Sequence, residues 1–167
     1  MGRYRPPQPK SSPYITRAGF DRLKQEEKDI WVRRADVTAA LAAAAAEGDR
    51  SENAEYIYRK KELRELDRRI RYLQKRIPDL VVVDRRADNN QVYFGATVTL
   101  ESDDDQSMTV RVVGADEIDP ARKHISVDSP LARAMLKKQV DDEVTLTIDG
   151  AASHYYIMSV NYKEEST

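Results

Sequence analysis

Two carboxylates three residues apart, Asp49 and Glu52, follow Gly48 and lie between two long helical patterns. Carboxylate oxygens are hard ligands suited to Mg2+. Two are too few for a complete magnesium site, so such a pair would share its ion with a partner's active site. In a two-metal phosphodiester reaction the second ion positions and activates the attacking water, and a borrowed carboxylate pair can stabilise that ion. The same stretch, Asp49-Arg50-Ser51-Glu52, also has the form of a helix capping box, in which Asp49 accepts a backbone hydrogen bond and Glu52 reaches back to the cap amide. A cap uses one oxygen of each carboxylate, so the readings are partly compatible. Spacing alone leaves both open.

A second constellation follows at once. Lys60, Arg64, Arg68, Arg71 and Lys75 recur at gaps of three and four, which places them on one helical stripe, with Lys61, Arg69 and Arg76 beside it. Intrahelical pairing with Glu62, Glu65 and Asp67 would make this an ordinary solvated face. The excess of cations over acids favours contact with phosphates or an acidic surface. Tyr56 and Tyr58, near the acidic pair, are placed to stack on a base, although Tyr56 also fits a helix seam.

Other chemistries are poorly supplied. There is no cysteine, which excludes disulfide scaffolds, thiol catalysis and Cys-based zinc sites and suits a reducing, cytoplasmic setting. The two histidines, His124 and His154, lie far apart in strand-like segments, which speaks against a histidine triad or a multi-histidine metal site. The longest apolar run, Ala39 to Ala46, is too short to cross a bilayer, and the N-terminus has no apolar signal core. A formal net charge of -1 conceals a division: residues 1–80 carry 19 Lys/Arg against 13 Asp/Glu, and residues 81–167 carry 9 against 16. The basic half suits nucleic acid or an acidic protein channel; the acidic half repels nucleic acid and suits protein docking.

The elements that must position these groups are legible from periodicity. Residues 1–13 hold four of the seven prolines with Arg3, Arg5 and Lys10, a basic tail expected to be disordered. From the N-cap candidate Thr16 to Glu47, the apolar positions Phe20, Leu23, Ile30, Val37, Leu41 and Ala44 form a seam, interrupted by Glu27 and Arg34. This predicts one helix of about 30 residues, roughly 45 Å long. Gly48 stops it. A second helix carries Tyr56, Leu63, Ile70 and Ile77 on one heptad row and Arg59, Leu66 and Leu73 on the other, until Pro78. Two such helices joined by a few residues fold back antiparallel, so residues 14–79 read as a coiled-coil hairpin with the acidic pair at its tip. Beyond Pro78 the period changes to two, with strands expected at 80–84, 92–100, 108–113, 124–127, 143–148 and 155–162. Ser129-Pro130 opens a short helix to about Lys138. The fold class is α+β, with residues 80–167 a compact second domain.

The residues that carry a family likeness are Gly48-Asp49-Arg50-Ser51-Glu52-Asn53-Ala54-Glu55-Tyr56, Arg59-Lys60-Lys61, and Asp67-Arg68-Arg69-Ile70-Arg71-Tyr72-Leu73. In the second half they are Phe94-Gly95-Ala96, the run from Val112 to Ile118, the run from Ile125 to Ala134, and Leu136-Lys137-Lys138. Together they resemble the bacterial GreA/GreB transcript cleavage factors, GreB most, from about Tyr14 to Tyr162. The resemblance implies a coiled coil that enters the secondary channel of RNA polymerase and an FKBP-like domain that docks at the channel rim. It implies a protein that is no enzyme alone but stimulates the polymerase's hydrolysis of backtracked nascent RNA. Asp49 and Glu52 would be the catalytic pair, helping to hold a Mg2+ ion kept mainly by the polymerase. The stripe of Lys60, Lys61, Arg64, Arg68, Arg71 and Lys75 would contact extruded RNA. The free protein is expected to be a monomer, cytoplasmic and without a membrane partner.

Two departures from the family pattern stand out: the alanine run before the tip, and Ile148-Asp149-Gly150-Ala151 in place of a Pro-x-Gly-Glu-like turn. Three other functions compete with the cleavage-factor reading. A channel-binding inhibitor of the same shape would not need an intact Asp-x-x-Glu tip. A prolyl isomerase needs an aromatic-lined apolar pocket, and Phe94 is the sole phenylalanine of the second domain. A purely structural adaptor would need no carboxylate pair at its tip.

Overall fold

The computed structural model describes residues 6–48, 53–84 and 90–163. The chain divides into two compact units: Phe20–Leu80, and the residues up to Gly19 together with those from Val81 onward.

The first unit is a helical hairpin. Helix α1 spans Arg17–Ala46, and helix α2 spans Ala54–Arg76, with a 3-10 turn, Ile77–Asp79, continuing it through Pro78. Thr16 caps α1, its Oγ1 accepting from the Gly19 amide at 3.0 Å. The expected seam is buried at Leu23, Ile30, Val37 and Ala44 of α1 and at Ile70, Leu73 and Ile77 at the end of α2. Cross-helix ion pairs set the antiparallel register: Glu26 accepts twice from Arg69 at 2.6 and 2.9 Å, Arg34 reaches Asp67 at 2.6 Å, and Arg33 reaches Glu62 at 2.8 Å. Arg34, a polar break in the heptad pattern, therefore serves the interface as an ion-pair partner.

The second unit is α+β. A five-stranded sheet runs in the order β5-β4-β3-β7-β6, where β3 is Thr97–Ser102, β4 Ser107–Val113, β5 His124–Ser126, β6 Glu143–Ile148 and β7 Ala151–Asn161. One sheet face carries Val98, Leu100, Val110, Val112, Val144 and Ile157, which pack with Ala132 and Met135 of helix α3, Pro130–Met135. Their alternation along the strands produces this single apolar face. Strands β6 and β7 meet in a two-residue turn in which Asp149 and Gly150 both have positive φ, 50° and 80°. Asp-Gly suits this turn because both central residues must be left-handed.

Several boundaries differ from the periodicity. The strand expected from Val92 begins only at Thr97, because Tyr93 to Ala96 form a turn with Gly95 at φ 87° and the Ala96 amide on the Tyr93 carbonyl. Helix α3 stops at Met135, since Lys137 takes φ 68° and its amide bonds to the Val92 carbonyl instead. A strand absent from the sequence reading, β1 (Tyr14–Thr16), pairs in parallel with β2 (Val81–Val83). Residues 14–19, read as the start of the hairpin, thus pair and pack with the sheet unit. The tail read as disordered to Pro13 is held at Ser12, whose amide and hydroxyl both donate to the Asp128 carboxylate.

Candidate nucleic-acid interface and acidic tip

Asp49 and Glu52 lie outside the described residues, and so does the interior of the link that carries them. What the structure does place are the two ends of that link. The N-cap of α2 is Asn53, with φ -84° and ψ 100°, and its Oδ1 accepts from the Tyr56 amide at 3.0 Å. Its Nδ2 donates to the Ala44 carbonyl at 2.7 Å. The capping-box reading of Asp49-Arg50-Ser51-Glu52 falls on residues outside the described ones; α2 begins at Ala54, and its N-cap is Asn53. An asparagine directly before a helical pattern is itself a cap signal. It was overshadowed in the sequence by the Asp-x-x-Glu spacing.

Behind the cap stands a cluster of ion pairs. Arg59 donates to Glu55 at 2.8 Å and to Glu62 at 3.0 Å, and Glu62 also receives Arg33 from α1. The Arg33 hydrogen bond, then that of Arg59, pulls the Glu62 carboxyl below its ordinary range. Glu55 and then Glu62 raise the Arg59 guanidinium in turn. These charges are spent within the hairpin.

The basic stripe behaves differently. Lys60, Lys61, Arg64, Arg68, Arg71 and Lys75 are all exposed on α2. Among the described residues Lys61, Arg64, Arg68, Arg71 and Lys75 form no ion pair. Two of the three acids expected to neutralise them pair elsewhere, Asp67 with Arg34 and Glu62 with Arg33 and Arg59, while Glu65 stays exposed on α2. Arg69, set beside the stripe by the sequence, turns inward to Glu26. The result is a row of cations on the side of α2 away from the seam.

Aromatic rings flank the row. Tyr58 is 60% exposed with the Arg59 guanidinium 5.6 Å from its ring centroid. Tyr56 is half-buried, with Lys60 Nζ 5.8 Å from its ring. Tyr72, not singled out by the sequence, is 42% exposed beside Arg71, with Arg69 at 5.2 Å. Its i+4 spacing from Arg68 and i−3 spacing from Lys75 could have revealed it. Cations interleaved with exposed rings suit single-stranded nucleic acid, whose phosphates and base faces they meet respectively.

For a metal, no group of three or more His, Asp or Glu side chains lies together among the described residues. The donor set left to the tip by the sequence, Asp49 and Glu52, is chemically fit for Mg2+ but short of a full site. Nor is any described helix long and apolar enough to cross a membrane.

A hairpin of this kind, joined to a small α+β sheet unit, matches two family models: "Transcription elongation factor, N-terminal" over residues 13–82 and "Transcription elongation factor, GreA/GreB, C-term" over residues 87–162. The chain belongs to the GreA/GreB family of transcription elongation factors. Within that family it is GreB-like. It is 54% identical to transcription elongation factor GreB of Xanthomonas axonopodis pv. citri (strain 306) over 97% of this chain and 98% of that one. It is 50% identical to the GreB of Pseudomonas aeruginosa (strain PAO1) over 97% and 98%, and 49% identical to that of Yersinia pestis over 91% and 90%.

Proposed function

We propose that this elongation factor binds the secondary channel of bacterial RNA polymerase and stimulates the polymerase's own Mg-dependent cleavage of backtracked nascent RNA. The hairpin enters the channel and the acidic sheet unit docks at its rim. The observation that carries the reading is that the N-cap of α2 is Asn53, so the start of that helix does not depend on Asp49 as its cap.

In this reading Asp49 and Glu52 supply carboxylate oxygens to a Mg2+ ion that the polymerase holds for the most part. When bound, such an ion lowers the pKa of a coordinated water and orients it for attack on phosphorus. Lys60, Lys61, Arg64, Arg68, Arg71 and Lys75 hold the phosphates of the extruded RNA 3' segment, and the last five, which form no ion pair among the described residues, keep those charges available. The chain itself needs no complete active site. It acts as a cytoplasmic monomer that rescues arrested complexes.

The test is a gel assay of a stalled, backtracked elongation complex with and without the protein. Released 3' fragments and resumed elongation are the expected result, with long fragments marking GreB-like behaviour and dinucleotides alone the GreA type. Inhibition without any released fragment would overturn the reading in favour of a channel-binding inhibitor.

A further inference from the structure

Asn53 does more than start a helix. The last four carbonyls of an α-helix have no partner within it, and α1 ends at Ala46. The Ala44 carbonyl takes the Glu47 amide at 3.2 Å and the Asn53 Nδ2 at 2.7 Å. The same Asn53 side chain, through Oδ1, satisfies the Tyr56 amide of α2 at 3.0 Å. One side chain thus caps the end of one helix and the start of the next, across nine residues of sequence.

The chemistry of this bridge is specific to an amide. Asparagine has a donor and an acceptor on one rigid plane. Aspartate keeps the acceptor for Tyr56 but sets a carboxylate against the Ala44 carbonyl. Serine keeps the cap and is too short to span both groups. Alanine loses both bonds.

We propose that Asn53 is a positioning residue for the acidic tip: by binding Ala44 and Tyr56 together it fixes both ends of the link that carries Asp49 and Glu52. The inference rests on the reading of those two residues given above. The metal-binding geometry of a borrowed carboxylate pair depends on where the chain enters and leaves the link. A misplacement of about 1 Å is enough to lose roughly a hundredfold in rate.

The experiment compares wild type, Asn53→Ser, Asn53→Asp and the double variant Asp49→Asn/Glu52→Gln. Hydrogen exchange of the free proteins is followed at the amides of residues 45–57. Polymerase affinity is measured by competition, and cleavage of a backtracked complex at saturating factor across a Mg2+ titration. For Asn53→Ser and Asn53→Asp the expected result is faster exchange confined to that segment, unchanged polymerase affinity, and maximal cleavage reduced roughly ten- to hundredfold with a higher Mg2+ requirement. Wild-type exchange, or wild-type cleavage and Mg2+ dependence in both variants while the double carboxylate variant is inactive, would overturn the role of Asn53 alone. A double carboxylate variant that cleaves like wild type would overturn the reading of the tip and this inference with it.

Discussion

Gly19 has no side chain because the Glu117 carboxylate occupies the place where one would project: a Cβ built on Gly19 would lie 2.0 Å from Glu117 Oε1. Glu117 is buried and accepts from the Thr16 amide at 3.1 Å, from the Thr16 hydroxyl, and from the Gly114 amide at 2.8 Å. Thr16 in turn caps the first turn of α1 through Gly19. Alanine is ordinarily better than glycine inside a helix by about 1 kcal/mol. Here the sign reverses. Gly19→Ala is expected to destabilise the sheet unit by about 1–3 kcal/mol, the cost of displacing a buried acceptor from its donors, read as a lower urea midpoint. With Glu117→Ala in the background the two losses should be less than additive, because both disturb the same packing.

Asp49→Asn with Glu52→Gln is expected to leave thermal unfolding and polymerase binding unchanged while abolishing cleavage of backtracked RNA. Neither change removes the cap of α2, which Asn53 provides. A competition binding assay beside the cleavage gel separates the two effects, and wild-type cleavage by the double variant would refute metal sharing.

Reversing Arg64, Arg68 and Arg71 to Glu should weaken action on complexes with long extruded RNA. None of the three has an ion-pair partner among the described residues, so folding should change little. If each meets one phosphate, the slope of log affinity against log salt becomes shallower by about 0.7 for every phosphate no longer neutralised. An unchanged salt slope would place the RNA elsewhere.

The ion cluster at Glu62 predicts a pH dependence. Arg33 and then Arg59 lower its folded-state pKa. A carboxyl that is harder to protonate when folded adds stability above its unfolded pKa, and that stability is lost as pH falls through the folded value. Hairpin stability should therefore drop below about pH 4, and Glu62→Gln should flatten that part of the profile. Urea unfolding followed by helical circular dichroism between neutral pH and about pH 3 checks it, since an equally steep profile in Glu62→Gln would assign the loss to other carboxylates.

Much of this molecule is determined by local sequence. The hairpin follows from heptad spacing, since positions 23, 30, 37 and 44 and positions 70, 73 and 77 must share a face at 3.6 residues per turn. The sheet strands follow from alternation, and the exposed stripe from gaps of three and four. The acidic pair was visible as a pair, but its spacing alone could not separate a cap from a ligand. Tertiary structure decided what depends on partners distant in sequence. Arg69 turned inward because Glu26 of the other helix faces it, and Lys61, Arg64, Arg68, Arg71 and Lys75 form no ion pair among the described residues, Glu62 and Asp67 having been drawn elsewhere. Strand β1 exists only because Val81–Val83 returns beside it after the whole hairpin, a parallel pairing that no local pattern announces. Asn53 holds the carbonyl of Ala44 for the same reason: a bond across the bend forms only once both helices are in place.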